Sequence, residues 1–277
     1  IVPGEDQGDA QSGVGPDGTL YRLGWKVEDE ITYTPWSSLP PDLSDVPDGR
    51  LIVQAKSVDA VGHESGVEEG YLYIDRVAPD APEIRFNPSG WTNGNVTATL
   101  VEPEVSADES PIAKMLYRFI PADGSNSDPE WIDYSGSFEL SEHGWIEAKA
   151  IDEAGNASDA ARAEVLVDKT AGDNFPLPII PSVLPRNFDD GKATVEIVVR
   201  DLEKMGPSGL KEIKYSLWAE GSLRESGQVP FSDLKEDANG LYLARVKLTA
   251  VSADAANTLL VVLVNNAGTE GEPVPKD

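Results

Sequence analysis

Cysteine is missing from the 277-residue chain, which excludes both a disulfide framework and a thiolate metal site. Histidine is scarce, and we interpret His63 and His143, which stand in different sequence contexts, as surface turn residues rather than as a catalytic or metal-binding pair. Apolar runs of about 18 residues are also lacking, so the sequence predicts no insertion into a membrane. No serine stands in a nucleophile elbow and no carboxylate pair stands out by position, so we predict that the chain is not an enzyme.

Basic residues are outnumbered: 49 acidic residues face 22 basic ones, and the formal net charge is −27. Such a chain repels phosphate backbones, and we therefore expect no nucleic-acid partner. The same charge repels an anionic membrane surface. Two interpretations of the acidic residues remain open, a solvated exterior and specific sites for a hard cation such as Ca²⁺.

One pattern recurs along the chain. Its clearest copy covers residues 144–158, an earlier copy covers residues 49–65, and a weaker third copy ends at residues 265–270. Between the first two copies Asp59 and Asp152 lie 93 residues apart, and the same spacing separates Asp75 from Asp168. A repeat of this length indicates an array of small domains. We place them at residues 1–78, 79–171 and 172–277, and call them the first, second and third repeats.

Short β-branched and alternating runs, separated by frequent turn residues, dominate the sequence, which contains 25 glycines and 21 prolines. Helical periodicity is scarce. Many short strands in units of about 90–100 residues are typical of β-sandwiches. We therefore predict an all-β fold of tandem antiparallel sandwiches. The proline-rich segment 176–185 is either an extended connector or a long first edge strand.

The order of motifs resembles the Ig-like repeats of bacterial surface, S-layer and adhesin-type proteins. A Ser-Gly type turn precedes a tyrosine-bearing strand, and a Gly-aromatic strand runs into Asp-x-x-Gly-Asn and then into an Asp-x-Thr-Ala linker. The turn occurs at residues 12–14, 110–112 and 208–210. The resemblance covers nearly the whole chain. It implies Ig-like sandwiches in a cell-surface or extracellular protein, and it leaves the individual function open.

At both ends of the chain there are fewer residues than the repeat pattern predicts. Few residues precede the first Ser-Gly turn, so we expect N-terminal strands to be missing from the first repeat. Few residues follow Glu270, so we expect a short last strand in the third repeat, which also has longer loops. Either the chain is cut from a longer repeat protein, or a neighbour supplies strands. Other copies of the chain or other surface proteins are therefore candidate partners by strand exchange.

Acidic residues cluster at the predicted hairpin tips and linkers. If they converge, they offer oxygen ligands for Ca²⁺ at the joints between repeats. The candidate ligands are Asp59, Asp75, Asp80, Asp152, Glu153, Asp168 and Asp173. The alternative for the hairpin aspartates is purely structural, because Asp and Asn side chains cap turn amides and glycine permits the positive φ of a hairpin tip.

The tryptophans give a second hypothesis. Most of the six recur at repeat positions, which indicates packing, whereas Trp91 stands in a turn-like context and is the candidate for an exposed, sugar-stacking residue. The sequence thus favours a structural spacer or assembly-forming segment of an S-layer, filament or adhesin stalk. The alternatives are an adhesive or carbohydrate-binding module that takes a polysaccharide, and an ancillary region of a surface glycoside hydrolase.

Overall fold

The structure, a computed structural model, describes residues 13–39, 41–106, 109–184 and 190–276. These residues form 19 β-strands and three short 3₁₀ helices, and the strand ladders are antiparallel. The all-β prediction of tandem antiparallel sandwiches is confirmed. Among the described residues no helix has the length and apolar character needed to cross a membrane.

The first repeat contributes one four-stranded sheet in the described residues. Its strands are β1 (Val14–Val27), β2 (Glu30–Tyr33), β3 (Gly49–Asp59) and β4 (Glu68–Ile74), in the order β2-β1-β3-β4. Leu23 and Leu51 are almost fully buried on one face, where Val46 packs with them. Of the cores formed by the described residues this one is the smallest, because a single sheet buries only what the loop before β3 covers.

The second repeat contains two sheets. Five of its strands are β5 (Glu83–Asn87), β6 (Val96–Val101), β7 (Ile112–Pro121), β8 (Ile132–Asp133) and β9 (Phe138–Leu140). The last two are β10 (Gly144–Asp152) and β11 (Ala161–Val165). The sheet orders are β5-β6-β9 and β11-β10-β7-β8. Every second residue of β10 is buried, as the period of two in a strand requires, and Ile146 packs with Val96 and Val165 in the core.

The third repeat also contains two sheets, with the largest core. One sheet has the order β12-β13-β17-β16, from β12 (Ile179–Leu184), β13 (Ala193–Val199), β16 (Lys235–Glu236) and β17 (Tyr242–Leu248). The other has the order β15-β14-β18-β19, from β14 (Leu210–Ala219), β15 (Ser222–Pro230), β18 (Asn257–Asn265) and β19 (Val274–Lys276). The 3₁₀ helices span Gly172–Asn174, Leu202–Met205 and Phe231–Asp233.

The proline-rich segment is an edge strand rather than a connector. Residues 179–184 form β12, which pairs with β13, and the register shifts between Ile179 and Ser182, where Pro181 lies. Proline cannot donate to a ladder and is tolerated at edges and bulges. Pro185, the end of the predicted segment, lies outside the described residues, as does Ser12 of the first predicted turn.

Contacts along the chain separate it into two compact units. The first combines the first repeat with residues 102–115 and 149–159, which carry the Ser110 turn and the Asp152 hairpin. The second combines residues 82–101 and 116–148 with everything from residue 160 onward. The linker after β4 and its binding partners thus belong to the first unit, and the linker after β11 with its partners belongs to the second.

Candidate functional site at two repeat joints

Asp168, the first residue of the linker after the second repeat, is only 1% exposed. One carboxylate oxygen, Oδ2, accepts hydrogen bonds from Ser208 N at 3.0 Å, from Ser208 Oγ at 2.5 Å and from Asn265 Nδ2 at 3.2 Å. The other, Oδ1, accepts one from Thr170 N at 2.9 Å. A buried carboxylate is tolerated when its oxygens are hydrogen-bonded in this way. We call Asp168 with Ser208 and Asn265 the second joint.

Local chain geometry positions each donor of the second joint. Gly206 ends the 3₁₀ helix Leu202–Met205 with φ +85°. A Cβ atom there would stand 2.5 Å from Asp168 Oδ1 and would also collide with the Thr170 hydroxyl, so glycine lets the linker approach. Ser208 follows in the turn, and Asn265 ends β18.

Asn265 is fully buried and every polar atom of its side chain is used. Besides donating to Asp168, its Nδ2 donates to Met205 O at 3.3 Å, and its Oδ1 accepts from Thr269 N at 2.9 Å. A fully satisfied buried amide fixes a unique arrangement, because any displacement leaves a polar group unpaired.

The charge state of Asp168 follows from this environment. Burial of the carboxyl raises its pKa, but the hydrogen bonds from Ser208 and Thr170 lower it by more, so the pKa of Asp168 lies below its ordinary value. The group is therefore ionised at neutral pH, and the site holds an anion by means of neutral donors.

The backbone on either side of Asp168 is also held. Asp168 N donates to Thr92 O at 2.9 Å, and Thr92 N donates to Leu166 O at 3.0 Å, which forms a short parallel bridge between Thr92 and Val167. Further along the linker, Gly172 lies so close to the backbone of Glu270 that a Cβ would collide with it. The linker thus contacts both the second repeat and the hairpin of the third.

Asp75 makes the corresponding contacts after the first repeat, and we call this the first joint. Asp75 Oδ2 accepts a hydrogen bond from Ser110 N at 2.7 Å, and Oδ1 accepts one from Val77 N at 2.9 Å. Its backbone carbonyl accepts one from Asn156 Nδ2 at 3.1 Å. Hydrogen bonds from the side chain and backbone of Ser110 hold the pKa of Asp75 below its ordinary value.

The two joints therefore share a serine that binds the linker aspartate, and they differ at the hairpin. In the second repeat that hairpin position is Asp152, whose carboxylate accepts from Asn156 N at 2.8 Å and from Asn156 Nδ2 at 2.9 Å. A carboxylate has no hydrogen to offer a second carboxylate, whereas the amide of Asn265 donates to Asp168. The hydrogen bond from Asn265 to the buried carboxylate of Asp168 thus explains why the third copy of the motif has an asparagine at this position.

The hairpin interpretation of the recurring motif is confirmed by the backbone. Gly62, Gly155 and Gly268 have φ of +93°, +94° and +85°. Asp59 caps the first hairpin, where its Oδ1 accepts from the backbone N of His63 at 2.7 Å. The tip glycines occupy the left-handed region that side chains disfavour.

The remaining predicted calcium ligands are dispersed. Asp80, Glu153 and Asp173 are exposed, and the partners of the joint aspartates are N–H and O–H donors. Within the described ranges no three acidic or histidine side chains come together as a metal-binding group. Calcium binding stays a prediction, to be tested below.

Trp91 is half-buried and packs against His143, with ring centroids 5.2 Å apart. His143 also lies 5.8 Å from Trp145 and its Nε2 is 2.9 Å from Glu164 Oε1. The sequence does not reveal this aromatic cluster, because residues 91 and 143 are far apart along the chain. Its rings contact one another, and the sugar-stacking role of Trp91 stays a prediction.

Comparison with known proteins gives structural neighbours only. No protein-family model matches the sequence, and no curated protein matches it. Among solved structures, the FN1–FN3 domains of chicken CNTN1 match with a TM-score of 0.37 and 14% identity, covering 94% of this chain and 88% of that one. A tetra-tandem repeat in the extending region of a large adhesion protein matches with a TM-score of 0.34 and 16% identity, covering 95% of this chain and 67% of that one.

Proposed function

We propose that this chain is a structural spacer of an exported bacterial protein at the cell surface, of the stalk or adhesin type. Its work is mechanical: each linker is fixed to the repeat that follows it, so that successive sandwiches do not swing freely.

The observation that carries this proposal is the recurrence of the joint. In both linkers the first residue is an aspartate, and in both the carboxylate is bound by the serine of the next repeat. A flexible linker is rich in glycine and serine and makes no such contacts. Because both joints use the same donor and acceptor, we infer that each linker is held in a fixed orientation against the repeat that follows it.

The net charge supports the role of a soluble structural array. A net charge of −27 keeps an array soluble and discourages its repeats from collapsing onto one another. A site with perturbed acid and base groups in a deep cleft would instead favour an enzyme. The perturbed aspartates here are used to bind backbone and hydroxyl donors at the joints.

Spin-label distance measurements test the proposal. The chain has no cysteine, so Ser127→Cys and Ser222→Cys, both at exposed positions, place one label in the second repeat and one in the third. We expect a narrow distance distribution for this parent. Asp168→Ala, which removes the acceptor of Ser208 and Asn265, should widen the distribution severalfold, while the exposed Asp173→Ala should leave it unchanged.

Two results would contradict the spacer function. One is a parent distribution already as broad as that of Asp168→Ala, because the joint would then hold nothing. The other is an unchanged width in Asp168→Ala. Repeating the measurement with calcium and then with a chelator tests the predicted cation sites: narrowing that depends on calcium supports them, and identical distributions reject them at this joint.

A further inference from the structure

β4 is an edge strand whose centre is apolar and exposed. It pairs with β3 on one side, and no ladder is formed on its other side within the described residues. Its residues 70–74 read Gly-Tyr-Leu-Tyr-Ile, without a charge. Tyr71 is 50% exposed, Leu72 43% and Tyr73 76%. A strand of this kind is a template for pairing with another strand.

The same edge in the other repeats is protected. Leu51 pairs with Leu72, as Gly144, 93 residues further along, pairs with Val165, so β11 is the counterpart of β4. β11 carries Arg162 on its central stretch, and β19 is short and carries Pro275. Charges, prolines and short length are the devices that prevent edge pairing. β4 uses none of them between residues 70 and 74.

The inner face of β4 is open as well. Val165, the counterpart of Leu72, is fully buried in the core of the second repeat, where β6 and β9 supply Val96 and Leu140. Leu72 has no such cover from the described residues and keeps nearly half of its surface exposed. A second strand laid beside β4 would therefore reduce exposed apolar area on both faces of the sheet.

We propose that β4 pairs with β4 of a second copy of this chain, antiparallel and about a twofold axis. Residues opposite each other in an antiparallel pair share the same face and the same hydrogen-bonding direction. A twofold axis between identical strands must then pass through a residue position. The register centred on Leu72 places the two Leu72 side chains together and sets each Tyr71 against Tyr73 of the second copy, as self-complementary interfaces do.

The absence of charge at its centre favours this register. Its five residue pairs, from position 70 to position 74, contain no charged residue, and the acidic ends at Glu68 and Glu69 lie at opposite ends of the ladder. Beyond these pairs Glu68 faces Arg76 of the second copy, and Glu69 faces Asp75, whose carboxylate already accepts a hydrogen bond from Ser110. The Arg50 guanidinium, 3.8 Å from the centre of the Tyr71 ring, adds positive charge to the same face. Since each copy carries −27, the uncharged stretch 70–74, with Arg50 of β3 against Tyr71, is where two copies meet with least repulsion.

Sedimentation velocity of the whole chain tests the pairing. We expect reversible dimers between about 10 µM and about 1 mM, the range of small interfaces, with the dimer fraction rising as salt screens the net charge. Leu72→Lys and Tyr73→Lys should each abolish the dimer. Leu223→Lys is the matched control, because Leu223 is 51% exposed on another edge strand, β15, and should keep it.

A cysteine cross-link reports the register. Leu72→Cys introduces the single thiol of the chain at the twofold axis, and mild oxidation should join two copies. Glu68→Cys places its two thiols about 27 Å apart in the same register and should stay uncrosslinked. Circular dichroism of each variant confirms that the sandwiches are intact.

Three outcomes would overturn the pairing: a monomer over the whole concentration range, a dimer that survives Leu72→Lys, and oxidation of Glu68→Cys that equals that of Leu72→Cys. The second would assign the contact to another surface. None of these results bears on the spacer proposal, because its spin labels and its joint variant lie outside β4.

Discussion

Hydrogen bonding to a single carboxylate decides the behaviour of the second joint. Asp168 is ionised and its four hydrogen-bond donors are neutral. Removing the charge by protonation leaves the donors without their preferred acceptor, which costs free energy because the site is dry.

Acid should therefore loosen the second joint. The folded pKa of Asp168 lies below its ordinary value of 3.8. A depressed pKa contributes stability that is complete above the unfolded value and is lost as pH falls through the folded value. We expect the free energy of unfolding to fall below pH 3.8 more steeply in the wild type than in Asp168→Asn. Urea titrations at several pH values measure the two slopes.

Asp173→Asn is the control for this pH dependence, because Asp173 is an exposed acid in the same linker. Its slope should match that of the wild type. Equal slopes for Asp168→Asn and the wild type would mean that the buried carboxylate does not contribute to acid sensitivity.

The sequence identified Asp75 and Asp168 as joint residues but did not identify their partners. Each aspartate directly follows an apolar strand, which is a local signal, and the two lie 93 residues apart. Ser110 and Ser208 lie 35 and 40 residues further along, and only the folded turn brings their amides to the carboxylates. Recurrence of a serine after each linker is the available signal, and by itself it predicts only a turn.

At the level of elements, glycine positions decide how closely a linker can pack. Gly206 combines φ +85° with ψ 178°, a conformation that is essentially restricted to glycine. The 3₁₀ helix Leu202–Met205 ends at this glycine, and the turn that follows places Ser208 beside Asp168. The turn is therefore shaped by backbone geometry and by the space that Asp168 occupies.

Gly206→Ala should destabilise the protein by more than the roughly 1–3 kcal/mol of a strained backbone conformation, because its Cβ would also displace Asp168. Chemical denaturation measures the difference. Gly240→Ala is the control: Gly240 has φ +76° and nothing within 4 Å of its Cβ position. Equal losses in the two variants would show that contact with the joint adds nothing.

Local sequence patterns predict the strands themselves, whereas the edge or central position of a strand depends on partners that are remote in sequence. The alternation of β10 and the β-branched run of β18 gave both elements directly from the sequence. The exposure of β4 was not visible, because residues 71–74 look like a buried strand and their environment depends on which sheet covers them. Likewise the edge role of β12 needed the position of β13 to decide between two interpretations.

For the whole molecule, charge repulsion acts against every folded contact. Forty-nine acidic residues on 277 positions leave a net charge of −27, and unfolding spreads those charges apart. Ion pairs such as Arg118 with Glu147 offset only part of this repulsion.

Salt should therefore raise the melting temperature. Between about 10 mM and about 1 M NaCl the screening length falls from about 30 Å to about 3 Å, which removes most of the repulsion. Calorimetry over this range should show a steady rise, the same for NaCl and KCl. A falling melting temperature would mean that ion pairs outweigh repulsion. CaCl₂ at equal ionic strength separates screening from specific calcium binding.

One carboxylate oxygen of Asp152 in the second repeat is replaced by the NH2 group of Asn265 in the third, and this makes the two kinds of repeat unequal as building blocks. A repeat with the asparagine seals a linker acid away from water, and a repeat with the aspartate leaves the linker acid partly hydrated. Duplicating one kind of repeat or the other would lengthen an array and would also determine which of its joints have a buried linker acid and which have a hydrated one. The order of repeats along the chain would then also be the order in which its joints yield.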